Sequence, residues 1–445
     1  MATPFRLRPA HGLILALVLV PAWKFVEPLV RPGPKAVSAD DSRLGKELFT
    51  HQWTEHDPLT KGDGLGPVFN ASSCVECHSQ AGPGGGGPIA KNVTVYGLVA
   101  PHPQGLPQSG VVHQKAINVS FQETLSQVHP SLPREPSIPL SVLTDRTRRR
   151  PPEVVVTQRN TPALFGDGLI DAISDDAIIA HQREHSTAAR LVGLNGARDS
   201  KIRGRVARLG DGRVGRFGWK LEFATLTDFV KAACANELGL SNPGRPQATP
   251  LGKPGYKSKS AGVDLTDEQC GLMTDYIRDL GRPTQAVPKD AQHAALAKNG
   301  RSLFRSIGCA DCHSESLGSV TGLYSDMLLH DMGVELESST GYYGGIIPAP
   351  AIRNDKFEES EQPSPVEWRT APLWGVADSA PYLHDGRAAT LEEAIDAHRG
   401  EAVDVTERFK ALSPDEQKAI TAFLKTLRAP GAEQGPADPR SVAAR

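Results

Sequence analysis

Apolar positions along the chain fall into short stripes of helical period, separated by long stretches punctuated with Gly and Pro. One stripe opens at Leu265-Thr266, has Gln269 three residues after the Thr, carries Tyr276, Ile277 and Leu280, and stops at Pro283. A second opens at Leu412-Ser413, has Glu416 three residues on, and aligns with the first without gaps through Phe423, Leu424, Leu427 and Pro430, at a constant offset of 147 residues. Each predicts an amphipathic helix started by a capping box and ended by proline. A third helix is predicted from the box Thr390-Leu-Glu-Glu393, with Leu391, Ala394, Ile395 and His398 on one face. The alternating runs Val154-Val-Val-Thr157 and Arg205-Val-Ala-Arg-Leu209 predict two small strands that pair with each other.

Two more elements recur in the same order. Gly45-Lys-Glu-Leu-Phe49 and Gly300-Arg-Ser-Leu-Phe304 each predict a helix leading into a cysteine pair, and Arg159-Asn-Thr-Pro162-Ala-Leu-Phe-Gly166 is matched by Arg369-Thr-Ala-Pro372-Leu-Trp-Gly375. The chain therefore reads as one unit written twice, 41–286 and 287–430. The first copy is enlarged at 50–73, 88–157 and 196–218, and the tail 431–445 reads as disordered.

Length and composition limit the picture further. A chain of 445 residues, 39% hydrophobic, has room for two or three cores, while 43 Gly and 36 Pro imply long irregular connections. A formal net charge of −2 gives no basic field to attract nucleic acid. At the N-terminus, Arg6 and Arg8 precede an apolar run from Gly12 to Val20 and then Pro21. With Val37-Ser38-Ala39 as the cleavage site, residues 1–39 read as a signal peptide or an N-terminal anchor, and export is expected.

Four of the six cysteines carry the chemistry. Cys74-Val-Glu-Cys77-His78 and Cys309-Ala-Asp-Cys312-His313 have the spacing that lets two thiols form thioethers with the vinyl groups of a haem while the next imidazole reaches the iron. At this composition such a pentapeptide is expected by chance about 0.003 times, so two of them point to two covalent c-type haems. His78 and His313 are then the iron ligands. A zinc site joining the two cysteine pairs leaves both histidines unexplained, and a dithiol redox motif needs neither. The fold class expected is mainly α: two cytochrome c-like domains with long irregular loops and a few short strands. Cys234 and Cys270 are left over; they pair as a disulfide in an oxidising compartment or stay as two buried thiols.

The sixth ligand decides whether an iron only passes electrons or also binds an oxidant. For the second haem the candidate is His398, set against a role as a cation at a helix C-terminus, with Met327 and Met332 as rivals. For the first, His181 at the end of Asp176-Ala-Ile-Ile-Ala-His181 aligns with 393–398 and is the candidate to close an otherwise open iron.

These residues, together with Asp63-Gly-Leu-Gly-Pro-Val-Phe-Asn70, Gly84-Gly-Gly-Gly87, Gly212-Arg-Val-Gly-Arg-Phe-Gly-Trp-Lys220, Leu323-Tyr-Ser-Asp-Met-Leu-Leu-His-Asp-Met-Gly333 and Ala380-Pro-Tyr-Leu-His-Asp-Gly-Arg387, resemble the bacterial di-haem cytochrome c peroxidase and MauG superfamily. The resemblance is specifically to its di-haem oxidoreductase branch, also called thiol oxidoreductases. It implies that His398, fourteen residues beyond His384, is the distal ligand of the second haem, at a place where the peroxidases have Met and MauG-type enzymes Tyr. It also implies a calcium ion held by Asn160 and the main-chain carbonyls of Ser379 and Pro381. Three peroxidase features have no aligned counterpart: the displaceable His of the first haem, the acid for O–O cleavage and the Trp between the haems. Asp167, Asp171 and Glu184 are nearby candidates for the acid; Trp53, Trp219, Trp368 and Trp374 are available for the last.

The sequence leads to an exported, peroxidase-like di-haem oxidoreductase in which electrons pass from a six-coordinate haem to an open one that takes hydrogen peroxide. A small cytochrome c, a cupredoxin or a quinol-linked donor is the expected redox partner; a membrane is involved only if the N-terminal segment is retained, and the location is periplasmic or otherwise exported. A pure electron-transfer cytochrome and a MauG-like or oxygenase-like modifier of a large substrate are the alternatives.

Overall fold

The structure, a computed structural model, describes residues 37–98, 109–122, 154–194, 202–251, 253, 256, 262–338 and 363–431. The expected leader up to residue 36 and the expected tail beyond 431 lie outside the described residues. Helix α1, Ala39–Thr50, leads to a helical turn at Cys74–Cys77. An antiparallel sheet follows, built from β1 (Val93–Leu98), β2 (Ser109–Val112) and β3 (Val154–Arg159), with β1 central. Then come α2 (Asp167–Ala172), α3 (Asp175–Leu194), α4 (Leu226–Glu237) and α5 (Asp267–Asp279). The second half runs α6 (Ala291–Ser306), a tight turn at Cys309–Asp311, the paired strands β4 (Leu329–Asp331) and β5 (Glu367–Arg369), then α7 (Leu391–Asp396), α8 (Val403–Lys410) and α9 (Pro414–Leu424). The fold is mixed, about 38% helical and 14% strand, with more strand than the mainly α class expected.

One close helix crossing organises each half. In the first, Gly45 of α1 lies against α5 so closely that a β-carbon on it would overlap the Leu272 carbonyl oxygen; in the second, Gly300 of α6 meets the Ala419 carbonyl of α9 in the same way. Leu272 and Ala419 are related by the 147-residue offset of the two stripes. The aromatic pairs next to the crossings repeat as well: Phe49 and Tyr276 have ring centroids 5.1 Å apart, Phe304 and Phe423 5.4 Å. The three predicted capping boxes, Thr266 with Gln269, Ser413 with Glu416 and Thr390 with Glu393, are all formed.

Two apolar clusters lie around these crossings. One gathers Phe49, Trp53, Ile170, Phe217, Leu226, Met273 and Ile277; the other Phe304, Tyr324, Leu391, Val405, Ile420 and Phe423. The described residues all belong to one compact unit, Pro34–Arg445.

The expected pairing of the two small strands is wrong. Val154–Arg159 pairs instead with β1, from Val93↔Arg159 to Leu98↔Val154. The Arg205 segment is drawn to the second half: Arg205 makes two charge-assisted hydrogen bonds to Glu367, 2.6 and 2.8 Å, and its backbone bridges Leu329. A paired guanidinium and carboxylate outweigh a weak alternating pattern.

The two crossings make a direct prediction. Gly300→Val, which must push two helix backbones apart, is expected to lower stability in urea denaturation by about 2–3 kcal/mol. Gly271→Ala on the open face of α5, where nothing lies within 4 Å of the added carbon, is expected to raise it by about 0.5–1 kcal/mol. Equal effects at the two positions would refute the assigned role of the crossing.

Candidate cofactor sites

In the second half, α6 runs into Gly308, whose φ of +103° turns the chain so that Cys309, Cys312 and His313 face a cavity of about 260 Å³. Nδ1 of His313 lies 3.0 Å from the Tyr324 carbonyl oxygen and Nδ1 of His398 2.7 Å from that of Ala394. With Nδ1 donating to a carbonyl, Nε2 is the ring atom left to bind a metal. The two rings lie with centroids 6.5 Å apart and planes tilted by 58°. Imidazoles bound to one metal from opposite sides, each at about 2 Å, hold their centroids roughly 6–6.5 Å apart. Burial holds His313 down at about 4 and also lowers His398, so both are neutral at pH 7, as a metal ligand must be. Of the rival ligands, Met327 is buried in the first cluster and Met332 sits in the cavity wall.

The first half repeats this arrangement on a smaller scale. Cys74, Cys77 and His78 line a cavity of about 120 Å³. Nδ1 of His78 lies 3.1 Å from the Pro162 carbonyl and 3.3 Å from that of Gly85, and burial holds the ring down at about 4. Phe49 stands 6.4 Å from His78, tilted 49°; Phe304 stands 6.3 Å from His313, tilted 50°.

The opposite wall of each cavity is a short hairpin followed by a helix, and the two copies match at an offset of 165 residues. Phe217 bridges Phe223 as Tyr382 bridges Ala388. Positive φ falls at Gly218 and Leu383, then at Leu221 and Gly386. Thr225 caps α4 as Thr390 caps α7. The cavity-facing stripe Leu226, Phe229, Val230, Ala233 therefore corresponds to Leu391, Ala394, Ile395, His398. Where the second half has His398, the first has Ala233. His181, the sequence candidate for that place, is on α3 with Nε2 3.1 Å from the Ser314 hydroxyl, outside the walls of the smaller cavity. The helical pattern at 176–181 does not bring His181 to this wall; the shared Ala-Thr-Leu at 224–226 and 389–391 marks the residues that line it.

The hairpins cross between the halves. Asn160 N donates to the His384 carbonyl at 2.7 Å, and Arg369 N donates to the carbonyl of Trp219, the residue equivalent to His384, at 3.1 Å. Trp219 lines both cavities, with its indole N–H on the Asn160 carbonyl at 2.9 Å and the Arg369 guanidinium 5.3 Å from the ring. Trp374 lines only the larger cavity; Trp53 lies under His51, and Trp368 stacks on His384 at 3.6 Å. Among the acid candidates, Glu184 is exposed and Asp171 is held by Arg278 and the Leu226 N–H. Asp167 lines the larger cavity, where burial pushes its carboxyl up to about 7 against the pull of Arg369.

Nδ2 of Asn160 lies 2.6 Å from the Pro381 carbonyl and Nε2 of Gln80 2.7 Å from that of Ala380. The amide oxygens of both are buried without a partner. Amide ends are interchangeable in shape; turned over, each oxygen would lie beside the carbonyl that its nitrogen now faces. Ser379 lies beside them in the cavity wall.

One group escaped the sequence reading. His330, in the 323–333 motif, has Asp326 at 2.9 Å and Glu401 at 2.8 Å on its two ring nitrogens, with the Cys312 sulfur 3.6 Å away. A carboxylate on each nitrogen requires two N–H donors, hence an imidazolium.

The sequence profile of the family described as "Di-haem oxidoreductase, putative peroxidase" matches residues 142–427. The chain belongs to this family. It is similar to methylamine utilization protein MauG of Methylorubrum extorquens, 28% identical over 150 residues, covering 32% of this chain and 38% of that protein. It is also similar to hydrazine synthase subunit gamma of Kuenenia stuttgartiensis, 26% identical over 170 residues (34% and 47%), and to cytochrome c551 peroxidase of Pseudomonas aeruginosa, 28% identical over 140 residues (30% and 34%). The chain thus spans less than half the length of each of these relatives. A solved structure of the Kuenenia hydrazine synthase aligns over 94% of this chain and all of that chain, at 16% identity and a TM-score of 0.40. A di-haem oxidoreductase family implies haem c, and the donor sets described, two thiols followed by a neutral imidazole in an apolar cavity, fit that group.

The raised Asp167 carboxyl predicts a pH signature. The unfolded chain ionises this group above about 4, whereas the folded protein resists ionisation until about 7, so the wild type loses stability as pH rises across that window. Asp167→Asn is expected to gain roughly 1–3 kcal/mol over the wild type between pH 4.5 and pH 8 in urea unfolding; the same difference at both pH values would exclude a raised pKa.

Proposed function

We propose that this chain is an exported di-haem c-type oxidoreductase with one closed iron and one open iron. Haem 1 is attached at Cys74 and Cys77 with His78 as ligand, and haem 2 at Cys309 and Cys312 with His313 and His398 as its two ligands. The segments 41–286 and 287–430 act as two cytochrome c-like domains, each carrying one haem. When bound, haem supplies one-electron redox chemistry and, where a coordination position is free, a place for a small oxidant such as hydrogen peroxide.

The observation that carries the reading is Ala233. At a position matched to His398 by hairpin, cap and stripe, a methyl group replaces the imidazole, so that among the described residues none at this matched place would ligate a haem iron from across the smaller cavity. Around it, Leu226, Phe229 and Val230 keep the wall apolar. His313 and His398 close the second site, which suits it to accept and store electrons. Trp219, in the wall of both cavities, is the side chain positioned to carry electrons between them. Asn160, Pro381 and Ser379 hold a calcium ion at the junction, with Gln80 adding a fourth oxygen; the two partnerless amide oxygens support an all-oxygen site of the kind a hard cation takes.

The leader at 1–39 directs export, and none of the described helices is long and apolar enough to cross a membrane. The electron donor is a small cytochrome c, a cupredoxin or a quinol-linked protein.

Room-temperature absorption and electron paramagnetic resonance of the purified protein test the assignment. The wild type is expected to show one high-spin and one low-spin haem; Ala233→His converts the first to low spin, and His398→Ala converts the second to high spin with both haems still covalently attached. Two low-spin haems in the wild type that ignore peroxide and carbon monoxide would leave a pure electron-transfer protein instead.

A further inference from the structure

Two cysteines take no part in the sites above. Cys234 lies on α4 one residue beyond Ala233, and Cys270 lies in the first turns of α5. In the structure both are free thiols, 2% and 0% exposed, held in the same apolar cluster on the packed helices α4 and α5. The backbone on each side is tied down: Leu240 N donates to the Cys234 carbonyl at 2.9 Å, and the Thr274 hydroxyl donates to that of Cys270 at 2.8 Å. Cys234 also shares the wall of the smaller cavity with Cys74 and Cys77. A third thiol in that wall competes with the attachment pair, because a thiolate attacks whichever disulfide or alkene it can reach.

We infer that Cys234 and Cys270 are joined by a disulfide in the mature protein, and that this bond keeps the Cys234 sulfur from the haem-attachment cysteines. The inference rests on the exported reading above. It needs an oxidant of the disulfide class: the thiolate of one cysteine attacks a partner disulfide, one partner sulfur leaves as a thiol, and the second cysteine then displaces the other. Two electrons and two protons leave the pair, and the partner disulfide becomes two thiols. Loss of the bond frees a sulfur beside Cys74 at the moment of attachment.

The test uses the full chain, exported from a host that attaches c-type haem. The protein is denatured, treated with iodoacetamide with or without prior reduction, and weighed. Thioethers hold the other four cysteines, so the expected result is the mass of two haems with no adduct before reduction and two adducts after it. A non-reduced digest should also contain the peptides of Cys234 and Cys270 linked together. Two adducts without reduction on a chain carrying two haems would overturn the disulfide while leaving the haem assignment intact. A chain lacking haem mass would overturn that assignment instead, and the linked peptide would still decide the disulfide. For the protective role, haem per chain is measured in Cys270→Ser, where the yield of the first site is expected to fall by about twofold or more, and in Cys234→Ser/Cys270→Ser, where it should recover. Equal haem content in the two variants would overturn that role.

Discussion

Everything at the two cysteine motifs depends on how closely two helix backbones can approach. Gly45 and Gly300 let α1 and α6 sit directly on the carbonyls of Leu272 and Ala419, a distance no side chain permits. That approach presses Phe49 onto Tyr276 and Phe304 onto Phe423, and sets the same phenylalanines 6.4 and 6.3 Å from His78 and His313. The imidazoles are then fixed from a second side by main-chain carbonyls on Nδ1. Orientation and tautomer of each ring thus follow from packing and from main-chain carbonyls on Nδ1, and the lowered pKa of each from burial.

The halves share a repeated frame but differ in the side chains it presents, Phe229 against Ala394, Trp219 against His384 and Ala233 against His398. The hairpins 217–223 and 382–388 have the same bridge and the same pattern of positive φ, although Gly and Leu exchange places within it. Each is followed by a threonine-capped helix that lays an i, i+3, i+4, i+7 stripe along a cavity. The last place of one stripe is a histidine and that of the other an alanine, the difference on which the proposed closed and open sites rest. The frames are also interlocked: the Asn160 N–H takes the carbonyl of His384, and the Arg369 N–H takes that of Trp219. This reciprocal pairing places Trp219 and the Asn160 segment in the walls of both cavities, and a change in either half is felt at the junction.

Much of this was legible in the residue order. The C-x-x-C-H pairs, the three capping boxes and the 147-residue repeat are local or nearly local features, and each appears where its pattern predicted. His398 was legible as the last member of a capped apolar stripe. The partner of the strand at Val154 differs from the expected one, and His181 does not line the smaller cavity. In both cases a short periodic run had several equally good partners in sequence; Val154–Arg159 was claimed by Val93–Leu98, and the segment at 205 was claimed by the ion pair between Arg205 and Glu367. His181 shared its helical period with the stripe of α7 but not its cap or its preceding hairpin.

The sequence by itself marked the two C-x-x-C-H segments as candidate attachment sites, because covalent attachment needs only a fixed spacing within five residues and chain connectivity guarantees it. It also determined that the unit is written twice. Tertiary structure alone decided which side chain faces each C-x-x-C-H motif from across its cavity, which tryptophan lines both cavities, and that Cys234 and Cys270 share one apolar cluster. Those relations join segments far apart in the chain, and they are set by helix approach and hydrogen bonding between backbones, for which a linear pattern has no unique signature.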